Sequence, residues 1–238
     1  ERSMAAIVFK GLTKTYGTAV AVDNFSAEVQ PGRVTGFLGP NGAGKSTALR
    51  CLVALATPTK GRTRILGRGY RKLKNPQTRV GVVLDSRGFH PGLTAYQNLR
   101  VLTSMGGIDK SRIDEVLAEV ELADARNKRV KGFSLGMKQR LSLASALLGS
   151  PEVLVLDEPA NGLDPAGIAW LRGFIKSQAE KGTTVFVSSH QLAELETIVD
   201  DVIIIDKGKV VAAGSVAEVT GGERLEEAFL RLTGSGLS

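Results

Sequence analysis

The residues best suited to chemistry are Gly39, Pro40, Asn41, Gly42, Ala43, Gly44, Lys45, Ser46 and Thr47, which run consecutively. Their spacing is G-x-x-x-x-G-K-[ST]. Such a match arises by chance in about one to two per cent of chains this long. Glycines let backbone N–H groups converge on phosphate oxygens with no Cβ in the way. A helix starting at the same point adds partial positive charge. Lys45 is placed to reach the β- and γ-phosphates, and the Ser46 hydroxyl to ligate Mg²⁺. The chemistry is therefore recognition of a nucleoside triphosphate.

A second group follows the apolar run Val153-Leu154-Val155-Leu156, which delivers Asp157 and Glu158 at a strand end. In open parallel sheets ligands sit at the carboxyl ends of strands. Asp157 suits the metal side, directly or through water, and Glu158 suits polarising an attacking water. His190 closes another strand-like run, 183–189, which should neighbour the other two strands. There it can donate to the γ-phosphate.

The elements that must position these residues alternate along the chain. Short strands are expected at 6–9, 19–22 and 25–29, then a strand over 33–38 that leads into the glycine-rich loop. Leu49, Leu52, Val53 and Ala56 share one face of a helix expected from Ser46 to Ala56, stopped by Thr57-Pro58. Helical spacing fills about 86–150: Ile113, Val116, Leu117 and Val120, then Leu141, Ala144 and Leu148. Beyond it come a strand at 153–156, a helix marked by Ile168, Leu171, Phe174 and Ile175, and a strand at 183–187. A helix from Gln191 to Val199, a strand at 202–205 and a turn at Lys207-Gly208 follow. Strands alternating with helices predict a mainly parallel sheet flanked by helices, an α/β fold.

Composition narrows the function. Of 238 residues, 42% are hydrophobic and 23% charged, which excludes wholesale disorder. No run reaches the roughly 18 apolar residues a spanning helix needs, so the chain is not expected to cross a bilayer itself. No secretory leader pattern opens it. Cys51 is the one cysteine and there are two histidines, which excludes a disulfide within the chain and argues against a nitrogen/sulfur metal cage. A reducing compartment fits. A net charge of +7 suits an anionic partner. Residues 60–79 carry eight Lys/Arg and no acid, which reads as a solvated face on an insertion.

Taken in order, 39–47, Ser134-Leu135-Gly136-Met137-Lys138-Gln139-Arg140, 153–159, Asn161-Gly162-Leu163-Asp164-Pro165 and Ser188-Ser189-His190 resemble the ATP-binding subunits of ABC transporters. The resemblance covers about 5–234 and is greatest to the ATPases of antibiotic and multidrug exporters, such as the daunorubicin- and bacitracin-resistance systems. It implies a P-loop NTPase, RecA-like core with a mainly parallel sheet, an N-terminal antiparallel β subdomain and a helical insert. On that pattern 1–238 is one ATP-binding domain. Residues 5–86 and 150–238 form the core with its β subdomain, and 87–149 form the helical part.

Further roles come from the resemblance alone. Tyr16 would stack on adenine, for which a flat ring is physically suited. Ser134 and Gly136, in the stretch Ser134, Leu135, Gly136 and Met137, would contact the γ-phosphate held by a second subunit. Asp164 would belong to the loop communicating across that dimer. The implied cofactors are ATP and Mg²⁺. The implied partners are a second copy of the chain and a separate membrane permease, with the ATPase peripheral on the cytoplasmic face. Hydrolysis would drive export of a drug, antibiotic or other amphiphilic compound. The alternative is an ATP-switched nucleic-acid or ribosome-associated relative, and the lack of coiled-coil, zinc or tandem insertions argues against it. Two positions depart from the family pattern. Leu135 and Met137 replace the first glycine and the glutamine of the usual signature, a form the exporter branch shares. Asp85 stands where a metal-touching glutamine is usual; its carboxylate can accept from metal-bound water but cannot donate.

Overall fold

The structure, a computed structural model, describes residues 4–84 and 88–234. Its chain order is β1 (Ile7–Tyr16), β2 (Ala19–Val29), β3 (Val34–Leu38), α1 (Lys45–Leu52), β4 (Lys60–Ile65), β5 (Val80–Val83), α2 (Ala95–Gly106), α3 (Arg112–Glu119) and α4 (Leu135–Leu147). There follow β6 (Val153–Leu156), α5 (Pro165–Glu180), β7 (Thr184–Ser189), α6 (Leu192–Leu195), β8 (Asp201–Asp206), β9 (Lys209–Ser215), α7 (Val216–Thr220) and α8 (Leu225–Thr233).

The six-stranded sheet runs β5-β6-β7-β3-β8-β9. All neighbours are parallel except the β8–β9 hairpin. Strands apolar on both faces need cover on both sides, and side chains alternate accordingly. Val153, Val155, Phe37 and Ile203 enter a core shared with α1 and the outer sheet. Leu154, Leu156, Leu38 and Ile204 enter the opposite core, shared with α2 to α5. The first core centres on four buried rings. Phe9 meets Phe25 edge-on at 5.0 Å, and Phe37 stacks on Phe186 at 5.2 Å. Each such pair contributes about 0.5–1.5 kcal/mol beyond area burial. This is the α/β architecture anticipated from the alternation of elements.

Four expectations need correction. The first strands are not short: β1 and β2 are 10 and 11 residues long, joined antiparallel through register shifts. One face of this outer sheet meets solvent, so polar Lys10, Lys14 and Thr15 remain in strand. Second, α1 ends at Leu52 rather than Ala56. Ala54 turns left-handed at φ 60, and the N–H groups of Leu55 and Ala56 both return to Arg50 O. Third, the helix expected from Gln191 to Val199 holds only Leu192–Leu195. The basic stretch is not all insertion either. Lys60–Ile65 is β4, an edge strand paired with β1. Its exposed Lys60, Arg62 and Arg64 suit an edge that must resist adding another strand.

Candidate nucleotide site

The glycine-rich loop is shaped by close backbone approach. A Cβ on Gly39 would lie 2.2 Å from Ile205 O, and one on Gly44, at φ 109, 2.5 Å from Ala21 O. The loop closes through Ala43 N donating to Pro40 O and Gly208 N donating to Ala43 O. Gly39→Ala should therefore overpack the loop against β8, costing about 1–3 kcal/mol. Thermal melting should show a fall of several degrees.

Lys45 opens α1 with its side chain 4% exposed, and its ammonium donates to Gly39 O at 2.5 Å and Pro40 O at 3.0 Å. Burial pushes its pKa below the usual lysine value, against the opposing pull of Glu158. Glu158 Oε1 lies 3.6 Å from Lys45 Nζ, and its Oε2 is 2.9 Å from His190 Nδ1. The carboxylate is thus set between a cation and an imidazole. Ser46 Oγ donates to Asp157 Oδ2 at 2.8 Å. Ser188 Oγ donates to Asp157 Oδ1 at 2.6 Å and accepts from Glu158 N at 2.8 Å. Burial also raises the Glu194 carboxyl above its ordinary value, with His190 pulling it back down and Glu158 pushing it further up.

Strand order explains the convergence. β7 lies between β6 and β3, so the ends of three adjacent parallel strands carry Asp157 and Glu158, His190, and the glycine-rich loop. Lys45, Ser46, Asp157, Glu158 and His190 come together there. Ser188, present in the sequence only as part of the Ser188-Ser189-His190 run and without a role of its own, is a further member. Strand alternation, which puts residues i and i+2 on one side, links it to His190 and could have found it.

Among the described residues no side-chain hydrogen bond or ion pair ties the other candidates to this cluster. Tyr16 ends β1, 53% exposed, with the Lys14 ammonium 4.9 Å from its ring centroid. Ser134 caps α4, accepting from Met137 N, and Asp164 caps α5, accepting from Gly167 N. Gly136, Met137, Leu163 and Trp170 line a cleft of about 430 Å³ between those helices. The Leu135 side chain would meet a Cβ on Gly162 at 2.7 Å, so the start of α4 abuts the 161–164 loop. Among the described residues no hydrogen bond or ion pair joins 134–137 to 39–47. Asp85 lies outside the described residues.

Fold and site together define a phosphate-binding α/β ATPase. The family model for ABC transporters matches residues 22–161, and the chain belongs to that family as an ATP-binding cassette that hydrolyses ATP. It is 48% identical over 203 residues to a bacitracin transport ATP-binding protein of Bacillus licheniformis, covering 84% of this chain and 66% of that one. The chain thus spans about two thirds of that relative's length. It is 39% identical over 220 residues to a lantibiotic transport ATP-binding protein of Streptococcus pyogenes, covering 92% and 94%. A solved ATP-binding subunit of an ABC transporter superposes with a TM-score of 0.86 at 26% identity, over 96% and 99%. A solved bacterial ABC transporter cassette at 25% identity and a TM-score of 0.80, over 88% of this chain and 98% of that one, is dimeric. Among the described residues no helix is long and apolar enough to cross a membrane.

Proposed function

We propose that this chain is the hydrolysing subunit of an exporter, paired with a second copy on the cytoplasmic face of the membrane. It drives an antibiotic, drug or similar amphiphile through a separate permease. The observation that carries the reading is the Lys45–Glu158–His190 arrangement beside Ser46–Asp157. Relatives named for bacitracin and lantibiotic transport supply the substrate class.

Ser46 and Asp157 present hard oxygen donors 2.8 Å apart, which fits Mg²⁺ held largely by phosphates and water. Among the described residues no group of three or more His, Cys, Asp or Glu could cage a metal alone. When bound, Mg²⁺ would neutralise charge on the phosphates. The loop N–H groups of 39–47 and the Lys45 ammonium bind the triphosphate. Glu158 accepts the proton of the attacking water, and His190, fixed against Glu158, donates to the γ-phosphate. Tyr16 stacks on adenine. Ser134 and Gly136 complete the site of the opposite copy, and Asp164 joins the two.

In this reading 5–86 and 150–238 form the core and 87–149 the helical part that meets the permease. A groove of about 400 Å³ lies between β5, α2 and α4, lined by Val82, Phe89, His90, Leu93, Val101 and Leu102. Its rim is pinned by the buried Asn98, which accepts from His90 N and donates to His90 O. Crosslinks from Phe89 or His90 to a co-purified membrane subunit are expected, together with substrate-stimulated ATP hydrolysis. Crosslinks confined to 202–234 would move the docking surface elsewhere.

A further inference from the structure

We propose that Ser188 is a positioning residue for ATP hydrolysis, its single hydroxyl setting the geometry of Asp157 and Glu158 together. The inference rests on the roles proposed for those two acids. A serine hydroxyl has one proton and two lone pairs. Here the proton goes to Asp157 Oδ1 at 2.6 Å, leaving the oxygen to accept from Glu158 N at 2.8 Å. Asp157 is held on both sides, since Ser46 donates to its other oxygen. Two hydroxyls, from β7 and from α1, thus fix the plane of one carboxylate.

The second bond matters because of where the chain turns. Glu158 sits at φ 49, a left-handed conformation unfavourable for any residue with a Cβ. Its N–H is turned away from the strand ladder, and Ser188 supplies the acceptor. That turn aims the Glu158 carboxylate at Lys45 and His190. Ser188 itself is 1% exposed, in the middle of the sheet between β6 and β3. The backbone pairings of β7 do not use its hydroxyl, so removing the oxygen leaves the strand paired while taking one of two hydroxyls from Asp157 and the acceptor from Glu158 N.

Ser188→Ala and Ser188→Thr, with Glu158→Gln in parallel, test this on the full chain. Ser188→Ala should lower kcat at least about tenfold, as expected for a lost hydrogen bond to a charged group. Its affinity for a fluorescent ATP analogue should stay within about threefold of wild type, and the Mg²⁺ concentration giving half-maximal rate should rise. Ser188→Thr keeps the hydroxyl and should recover most of the rate. The proposal is overturned if Ser188→Ala hydrolyses within about twofold of wild type while Glu158→Gln is slow. It is also overturned if Ser188→Thr is as slow as Ser188→Ala at equal thermal stability, or if analogue affinity falls as far as kcat. A wild-type rate in Glu158→Gln would instead remove the underlying assignment of Glu158.

Discussion

Glu158→Gln should bind ATP and hydrolyse it at least about a hundredfold more slowly than wild type. An amide has the size of the carboxylate but cannot take a proton at neutral pH. The substitution keeps the backbone turn at φ 49 and can still hydrogen-bond His190. Binding groups on the glycine-rich loop are untouched, so nucleotide affinity should persist. The closed ATP-bound pair should then accumulate, because the contacts that release it depend on turnover. Steady-state phosphate release and size-exclusion chromatography with ATP check both halves. Wild-type hydrolysis would remove Glu158 from the chemistry, whatever its place beside Lys45.

Lys45→Ala should abolish nucleotide binding rather than slow its turnover. The Lys45 ammonium is buried, with its stem covered and its head turned into the loop. Burial makes that cation costly and pushes its pKa below the usual lysine value. Glu158 offsets part of that cost, and a triphosphate would offset more, since charge-assisted contacts to phosphate are roughly twice as strong as neutral ones. Alanine removes the charge and leaves the carbonyls of Gly39 and Pro40 without the ammonium they accept from. Titration with a fluorescent ATP analogue should show at least a hundredfold loss of affinity, or about 2.7 kcal/mol. Affinity within twofold of wild type would mean that the loop does not hold phosphate through Lys45.

Local sequence was enough to find most of the candidate site because its groups lie in contiguous motifs. Lys45 and Ser46 follow the glycines directly, and Asp157 and Glu158 follow a four-residue apolar strand. The alternation of strands and helices was also sufficient for the α/β class, since periodicity is a local property. Local reasoning failed at ends and edges. α1 stops at Leu52 because a left-handed turn at Ala54 intervenes, and apolar spacing carries no information about that turn. β1 runs through polar Lys10, Lys14 and Thr15 because half of the outer sheet faces water.

What the sequence determined by itself is the chemistry available: which residues could bind phosphate, accept a proton or ligate a hard metal, and that strands would carry them. What only the tertiary structure decided is which side-chain atoms these groups take as partners where the strand ends converge. Residues 46, 157 and 188 share one hydrogen-bonded cluster although more than a hundred positions separate the first from the second. Among the described residues, 134–137 make no hydrogen bond to that cluster. The reason is the strand order β5-β6-β7-β3. Each strand is locally apolar and could pair with any other, and only packing of the whole sheet between its two cores sets β7 beside both β6 and β3, and so sets Ser188 between the two acids.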